Sequence, residues 1–228
     1  MAAISNHAAS ATSTDSTPTL PPPTAAVLKE RKVIDRICST IDLEVKQKNL
    51  KSRIYAEVGT MMKDSNSEWK IFKDEKELEK GCDPGKFGGC YTYATLYSKA
   101  GKPVLAAMEF TRPSGDWITY VDYYLRADGK VMKNHSDLRR FGALPLAELE
   151  KQQKDPNYEL QGFLVQVIRD RYYDAKGGLI LAPPPKYINM DTKMEVPEPN
   201  YMEGECPLLQ SAAELPFHKL LSISEIKK

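Results

Sequence analysis

Apolar side chains recur at helical spacing between Ala25 and about Lys63. Two sets follow this rhythm: Ile34, Ile37, Cys38 and Ile41, and then Ile54, Val58, Met61 and Met62. The polar stretch 46–49 separates them. The pattern predicts one long bent helix or two consecutive helices, with Asp42 as a cap for the second.

A strand rhythm begins at Tyr91. Runs of β-branched and aromatic residues alternate with turn signals, and the connections are too short for parallel crossovers. The predicted strands are Tyr91–Ser98, Val104–Arg112, Trp117–Arg126 and a fourth from Val131, with hairpins at Lys99–Lys102, Pro113–Gly115 and Ala127–Gly129. The pattern predicts an antiparallel β-meander of four or more strands.

The remaining segments give shorter elements. Strands are predicted at Trp69–Phe72, Gly162–Asp174 and Leu179–Leu181, and short helices at Lys73–Lys80, Pro145–Gln153 and Glu214–Leu221. Residues 1–25 read as a flexible Ala/Ser/Thr/Pro arm. Residues 26–182 are predicted to form a single α+β domain. Residues 183–228 are predicted to form an extended Pro-rich tail with a short terminal helix.

Alternation along the predicted strands assigns their side chains to two faces. This assignment sets Arg112 opposite Asp116 and Arg126 opposite Lys130. The first face then carries Val104, Ala106, Met108, Phe110, Ile118, Tyr120, Asp122, Tyr124 and Met132, joined by Tyr91, Tyr93 and Tyr97. The second face carries Leu105, Ala107, Glu109, Trp117, Thr119, Val121, Tyr123, Leu125 and His135. We expect the N-terminal helix or helix pair to cover the first face.

A helix packed across a curved antiparallel meander gives a roll, similar to the cystatin-like and nuclear-transport-factor-2-like rolls. This is an analogy of fold alone, and such folds host both enzymes and binding modules.

The first face predicts a ligand site, because rolls often leave a cavity between helix and sheet. Its converging polar groups are Asp122, Tyr93, Tyr120 and Tyr124. The structural alternative is that the tyrosines are core residues with their hydroxyls at the rim, and that Asp122 is salt-bridged. Glu109 is assigned to the opposite face, so no pair of carboxylates is expected.

The cysteines and histidines indicate whether the chain holds a disulfide, a metal site or a nucleophile. Of four cysteines, Cys82 and Cys90 bracket a turn-forming loop and predict a disulfide, with free thiols as the alternative. A disulfide favours a periplasmic or secreted location over the cytoplasm. Neither Cys-x-x-Cys nor clustered histidine is present, so no metal is expected. A nucleophilic Cys90 with His135 as base is a weaker hypothesis.

Composition excludes several classes of partner. The net charge of +1 gives no bulk attraction to nucleic acid. No apolar run approaches the ~18 residues of a transmembrane segment. Pro84-Gly85-Lys86 lacks the Ser or Thr of a phosphate loop, and no cofactor is predicted.

Two functional hypotheses follow from these patterns. The first is a non-enzymatic binding or accessory protein, with a protein partner held by the N-terminal arm or the C-terminal tail, in a larger envelope-associated assembly. The second is a small-molecule enzyme that uses the helix–sheet cavity with Asp122 as general base.

Overall fold

The computed structural model describes residues 20–59, 68–82, 89–111, 114–155, 157–201 and 207–225. The predicted positions Met61, Met62, Arg112, Pro113 and Cys206 lie outside these ranges. Over the described residues the helices are α1 (Ala25–Lys46), α2 (Glu75–Gly81), α3 (Leu146–Lys154) and α4 (His218–Glu225), with a 3-10 turn at Ala212–Glu214. The strands are β1 (Lys51–Val58), β2 (Glu68–Phe72), β3 (Thr92–Lys99), β4 (Lys102–Thr111), β5 (Trp117–Leu125), β6 (Val131–Ala143), β7 (Phe163–Tyr173), β8 (Leu179–Leu181), β9 (Lys186–Asn189) and β10 (Met194–Glu195).

All ten strands form one antiparallel sheet, which confirms the predicted α+β class and the meander. The order across the sheet is β10-β9-β7-β6-β5-β4-β3-β1-β2, and β8 also pairs with β7. Strands β3 to β7 are neighbours in chain order, as short hairpin connections require. Gly129 supplies the left-handed φ of 82° in the β5–β6 turn.

The N-terminal helix is shorter than the pattern predicts. Thr24 caps α1, which ends at Lys46. Ile54 and Val58 belong to strand β1 instead, so the predicted helix over these residues is wrong. A spacing of four residues is even, and it therefore satisfies the two-residue period of a strand as well as the period of a helix.

Strand pairing defines two faces of the sheet, because directly opposed residues share a face. Face A carries Tyr55, Ala94, Ala106, Met108, Phe110, Thr119, Val121, Tyr123, Asn134, Ser136, Leu138 and Val167. Face B carries Ile54, Tyr93, Tyr97, Leu105, Glu109, Tyr120, Asp122, Tyr124, Lys133, His135 and Asp170.

The predicted face assignment is wrong between β4 and β5. Thr111 pairs with Ile118, one residue beyond the pairing that the sequence predicts, so the connecting loop is one residue longer. A slip of one residue exchanges the faces. Ala106, Met108 and Phe110 therefore lie on face A, and Glu109 shares face B with Asp122.

A second shift lies between β5 and β6. The Arg126 amide donates to the Lys130 carbonyl, as predicted. A β-bulge then separates the Leu125–Val131 pair from the Tyr124–Lys133 pair. The extra residue reverses the alternation along β6 and sets His135 opposite Asp122, on face B.

Two different segments cover the two faces. Ile34, Cys38 and Ile41 of α1 are buried against the end of face B that holds Leu105 and Tyr124. Ile37 belongs to the same apolar set, which we expect to face the sheet, but it is 40% exposed, so that expectation is wrong for this residue. Face A is covered by the C-terminal segment, defined here as residues 207–221, in which Leu215 and Phe217 are fully buried. The Phe217 ring stacks on Tyr55 at 4.3 Å.

The predicted tail contributes to the sheet over part of its length. Strands β9 and β10 pair with each other, and β9 also pairs with β7. None of the helices in the described ranges is long and apolar enough to cross a membrane.

Candidate functional site

A polar site lies on face B, beside the part of the sheet that α1 covers. Asp122, His135 and Asp170 form a row across three neighbouring strands, with Asp122 opposite His135 and His135 opposite Asp170. The next row holds Tyr124, Lys133 and Tyr172, which the α1 helix partly covers. The meander thus brings six charged or aromatic groups from β5, β6 and β7 beside one helix.

His135 is held from one side. Its Nδ1 lies 2.8 Å from Asp170 Oδ1. This hydrogen bond and the Asp170 charge raise the pKa of His135 despite its partial burial. Burial alone would raise the pKa of the Asp170 carboxyl. The hydrogen bond to His135 and the charge of Lys133 outweigh burial and hold this pKa below the ordinary value. Because Asp170 holds Nδ1, the orientation of the imidazole is fixed and Nε2 is the ring nitrogen that would exchange a proton with a ligand.

Lys133 links the sheet to α1. Its Nζ lies 3.0 Å from Asp35 Oδ1 and 3.4 Å from Asp170 Oδ1. The Tyr172 hydroxyl also donates to Asp35, at 2.9 Å. These partners raise the pKa of Lys133 although burial opposes the charge, so the ammonium is already neutralised by two carboxylates.

Asp122 is the exception in this site. It is half-buried, and the described residues give it neither a hydrogen bond nor an ion pair. Burial raises the pKa of its carboxyl to about 6; the nearby His135 charge opposes this, while Asp42 and Asp137 add to it. Asp122 is therefore a carboxylate that gains a proton close to neutral pH.

Tyrosine rings lie beside Asp122. The Tyr124 hydroxyl donates to Asp42 Oδ1 at 2.8 Å, which connects the site to α1 a second time. Burial, followed by the charge of Asp122, raises the pKa of both Tyr97 and Tyr124. Both phenols stay neutral at physiological pH. Tyr97 is half-buried and offers aromatic surface next to the carboxylate, whereas Tyr124 is buried under α1.

A second carboxylate lies further along the same face. Glu109 stands opposite Tyr93 on β3 and opposite Tyr120 on β5. Burial raises the pKa of Glu109, although the Tyr93 hydrogen bond and the Arg139 charge oppose the shift. Arg139 is itself paired with Asp137 at 3.0 Å. Glu109 is diagonal to Asp122, a relationship that places Cα atoms about 7–8 Å apart.

The structure places the four predicted site residues on one face. Asp122 and Tyr124 lie in adjacent rows beside α1, whereas Tyr93 and Tyr120 flank Glu109. The neighbours that the sequence assignment missed are His135, Asp170 and Glu109. His135 and Glu109 were displaced to the wrong face by the two register errors. Asp170 was recognisable only as a polar position in the β7 run.

The predicted disulfide is present. Cys82 and Cys90 are bonded, with Cα atoms 5.0 Å apart, and they pack near Tyr93, Val58 and Phe72. Burial raises the pKa of the free Cys38 thiol, beneath α1, to about 12. A thiol of this kind is a packing group rather than a nucleophile. The hypothesis of Cys90 as nucleophile is wrong, since its sulfur is in the disulfide.

Groups of three or more His, Cys, Asp or Glu side chains arranged to hold a metal ion are absent from the ranges that the structure describes. On face B, Asp170 is paired with Lys133 and His135, and Asp137 is paired with Arg139. Glu109 has the Tyr93 hydrogen bond, and Asp122 lies outside these pairs.

Comparisons with models of known protein families, with curated proteins and with solved structures find no match to this chain. The geometry of face B is therefore the basis for assigning a function.

Proposed function

We propose that this chain is a binding protein for a small organic cation, held on face B against the carboxylate of Asp122. The observation that carries the proposal is the lack of a partner for Asp122 among the described residues, while each neighbouring cation already has one. Lys133 and His135 pair with Asp170, and Arg139 pairs with Asp137. A cation from outside would complete the missing pair.

The cost of this arrangement supports a functional origin. A half-buried carboxylate without a hydrogen bond or an ion pair loses hydration, and the nearby His135 charge offsets only part of this cost, so Asp122 destabilises the fold. Buried charges are normally paired, and the exceptions cluster at binding and catalytic sites. An ammonium group would restore an ion pair to Asp122, and Tyr97 would add an aromatic contact of the kind that cations favour.

The two ends of the chain, both predicted to bind a protein partner, are proposed to have different roles. Much of the C-terminal tail packs on its own sheet through β9, β10 and Phe217, which favours a structural role for it. Residues 1–25 are then the segment proposed for attachment to a protein partner. The Cys82–Cys90 disulfide supports the proposal of an oxidising compartment such as the periplasm or the extracellular space.

The proposal is tested by calorimetric titration of the full chain with 1,4-diaminobutane and with tetramethylammonium, each compared with an uncharged alcohol of similar size. Cation binding should be lost in Asp122→Asn and retained in Asp191→Asn, a control at an exposed loop carboxylate. Binding should also weaken as the pH falls through about 6, because Asp122 becomes protonated. Equal affinities of the native and Asp122→Asn proteins would contradict the proposal.

Acid–base catalysis is the second candidate function, and the opposed Asp122 and His135 favour it. Asp170 orients the imidazole through Nδ1, and Asp122 can accept a proton near neutral pH. An enzyme of this kind would convert a bound substrate, and Asp122→Asn would abolish turnover while His135→Gln and Asp170→Asn would lower it. Binding without turnover would leave the first proposal in place.

A further inference from the structure

A second polar patch lies on face A, on the opposite side of the sheet from Asp122. Thr119, Asn134 and Ser136 are buried there, at 1%, 0% and 1% exposure. Neither the hydroxyl oxygen of Thr119 or Ser136 nor either polar atom of the Asn134 amide has a hydrogen-bond partner among the described residues. These four buried polar atoms form one group, which we name the interior patch.

Strand register places Ser136 between the other two residues on the same face. Asn134 and Ser136 are alternate residues of β6 and point to the same face. Thr119 pairs with Leu138, two residues beyond Ser136, so it is diagonal to Ser136 across β5 and β6. Val121 and Leu138 flank the patch on the same face, while β7 sets Arg171 opposite Asn134 and Arg169 opposite Ser136. The C-terminal segment covers this face.

Leaving such atoms unpaired is expensive. A buried polar group without a partner costs about 1–3 kcal/mol, and native proteins contain only a few in each hundred residues. Three neighbouring side chains with this defect on one face are best explained by a guest that supplies their hydrogen bonds.

The Asn134 amide restricts what the guest can be. Its Nδ2 needs an acceptor and its Oδ1 needs a donor, so exchanging the two atoms by an amide flip changes nothing. An inorganic anion only accepts and an ammonium ion only donates, and neither satisfies both atoms. Hydroxyl groups such as those of Thr119 and Ser136 adapt to either role.

We infer that the interior patch is a second binding site, enclosed in the core, for one or more small uncharged guests that both donate and accept hydrogen bonds. Water, alcohols and amides share this chemistry. The inference is independent of the cation site, because Asp122 and the interior patch lie on opposite faces.

The test uses the full chain in two measurements. A crystal structure that resolves ordered water should show density in contact with Asn134, Ser136 and Thr119, and mass spectrometry of the denatured protein should identify the source. A co-released alcohol or amide indicates an organic guest, and its absence with density present indicates water. Either result supports the inference, whereas a dry patch whose polar atoms bond to protein groups overturns it.

Chemical denaturation of Thr119→Val supplies a second, independent readout, because the change preserves shape and removes only the hydroxyl. If a guest is bonded to Thr119, the denaturation midpoint falls and the density or the co-released molecule is lost. Thr95→Val, on face B, should retain the guest. A rise in the midpoint of Thr119→Val would show that the hydroxyl was simply unpaired and would overturn the inference.

Discussion

Asp122 on β5 and His135 on β6 stand directly opposite each other on the same face of the sheet, and the β-bulge between them and the hairpin turn creates this opposition. Without the extra residue, Asp122 would face Asn134, and His135 would point into the opposite face. Asp170 then holds His135 from β7. One irregularity in one strand thus places two titratable groups side by side.

The His135–Asp170 pair predicts a specific pH dependence. The folded-state pKa of His135 is raised, so its contribution to stability is complete below about pH 6.5 and is lost as the pH rises through the raised pKa. Asp170→Asn should lower the free energy of unfolding by roughly 1–3 kcal/mol near pH 6 and by less near pH 9. It should also lower the His135 pKa.

Denaturant unfolding and NMR titration of the His135 ring measure these two effects. An unchanged His135 pKa in Asp170→Asn would show that the 2.8 Å contact between the two side chains does not persist in solution.

Packing of α1 predicts unequal costs for two isoleucines. Ile41 is 7% exposed and contacts the core, whereas Ile37 is 40% exposed. Ile41→Ala should lower the free energy of unfolding by about 2–4 kcal/mol, because it removes buried methyl groups and leaves a cavity. Ile37→Ala is the matched control and should cost less than about 1 kcal/mol. Similar losses for both changes would indicate that Ile37 is covered, for example by a partner.

The C-terminal segment is predicted to be essential to stability. Phe217 is fully buried and stacks on Tyr55. Phe217→Ala should cost about 3–5 kcal/mol. Leu208→Ala, at 50% exposure in the same segment, should stay within about 1 kcal/mol of the native protein. A native-like melting temperature for Phe217→Ala would mean that the segment does not cover face A in solution.

Much of the fold could be predicted from local sequence, because the meander depends on turns and alternation. The Lys99–Lys102 hairpin and the Gly129 turn are encoded by nearby residues, and β3 to β7 follow from them. The predicted helix over Ile54 and Val58 is wrong because their spacing fits both a helix and a strand. Only the pairing of β1 with β2 and β3 shows that the segment is a strand. The roll analogy stays a prediction.

The site was harder to predict than the fold. Asp122 is recognisable as a lone carboxylate in an aromatic strand, but its neighbours depend on register. One extra loop residue before β5 brought Glu109 to face B, and one bulge brought His135. Neither has a reliable local signal, since a bulge is set by how the whole strand packs. Asp170 is more than thirty residues further along the chain from His135, and only tertiary pairing joins them.

The central claim is that Asp122 is kept for binding at a cost to stability, and its charge state makes that claim measurable. Its folded pKa of about 6 lies above the ordinary value of 3.8. The folded state therefore binds the proton more tightly, and the native protein loses stability as the pH rises from about 4 to about 6. Above this range the full penalty remains, up to about 3 kcal/mol.

The most direct test is the free energy of unfolding of Asp122→Asn, measured by denaturant titration near pH 4 and near pH 7.5, with Asp191→Asn as the control. The account predicts that Asp122→Asn is more stable than the native protein by roughly 1–3 kcal/mol near pH 7.5 and by much less near pH 4. The control should match the native protein at both pH values. A loss of stability in Asp122→Asn near pH 7.5 would contradict the account, because it would show that the carboxylate has a structural partner.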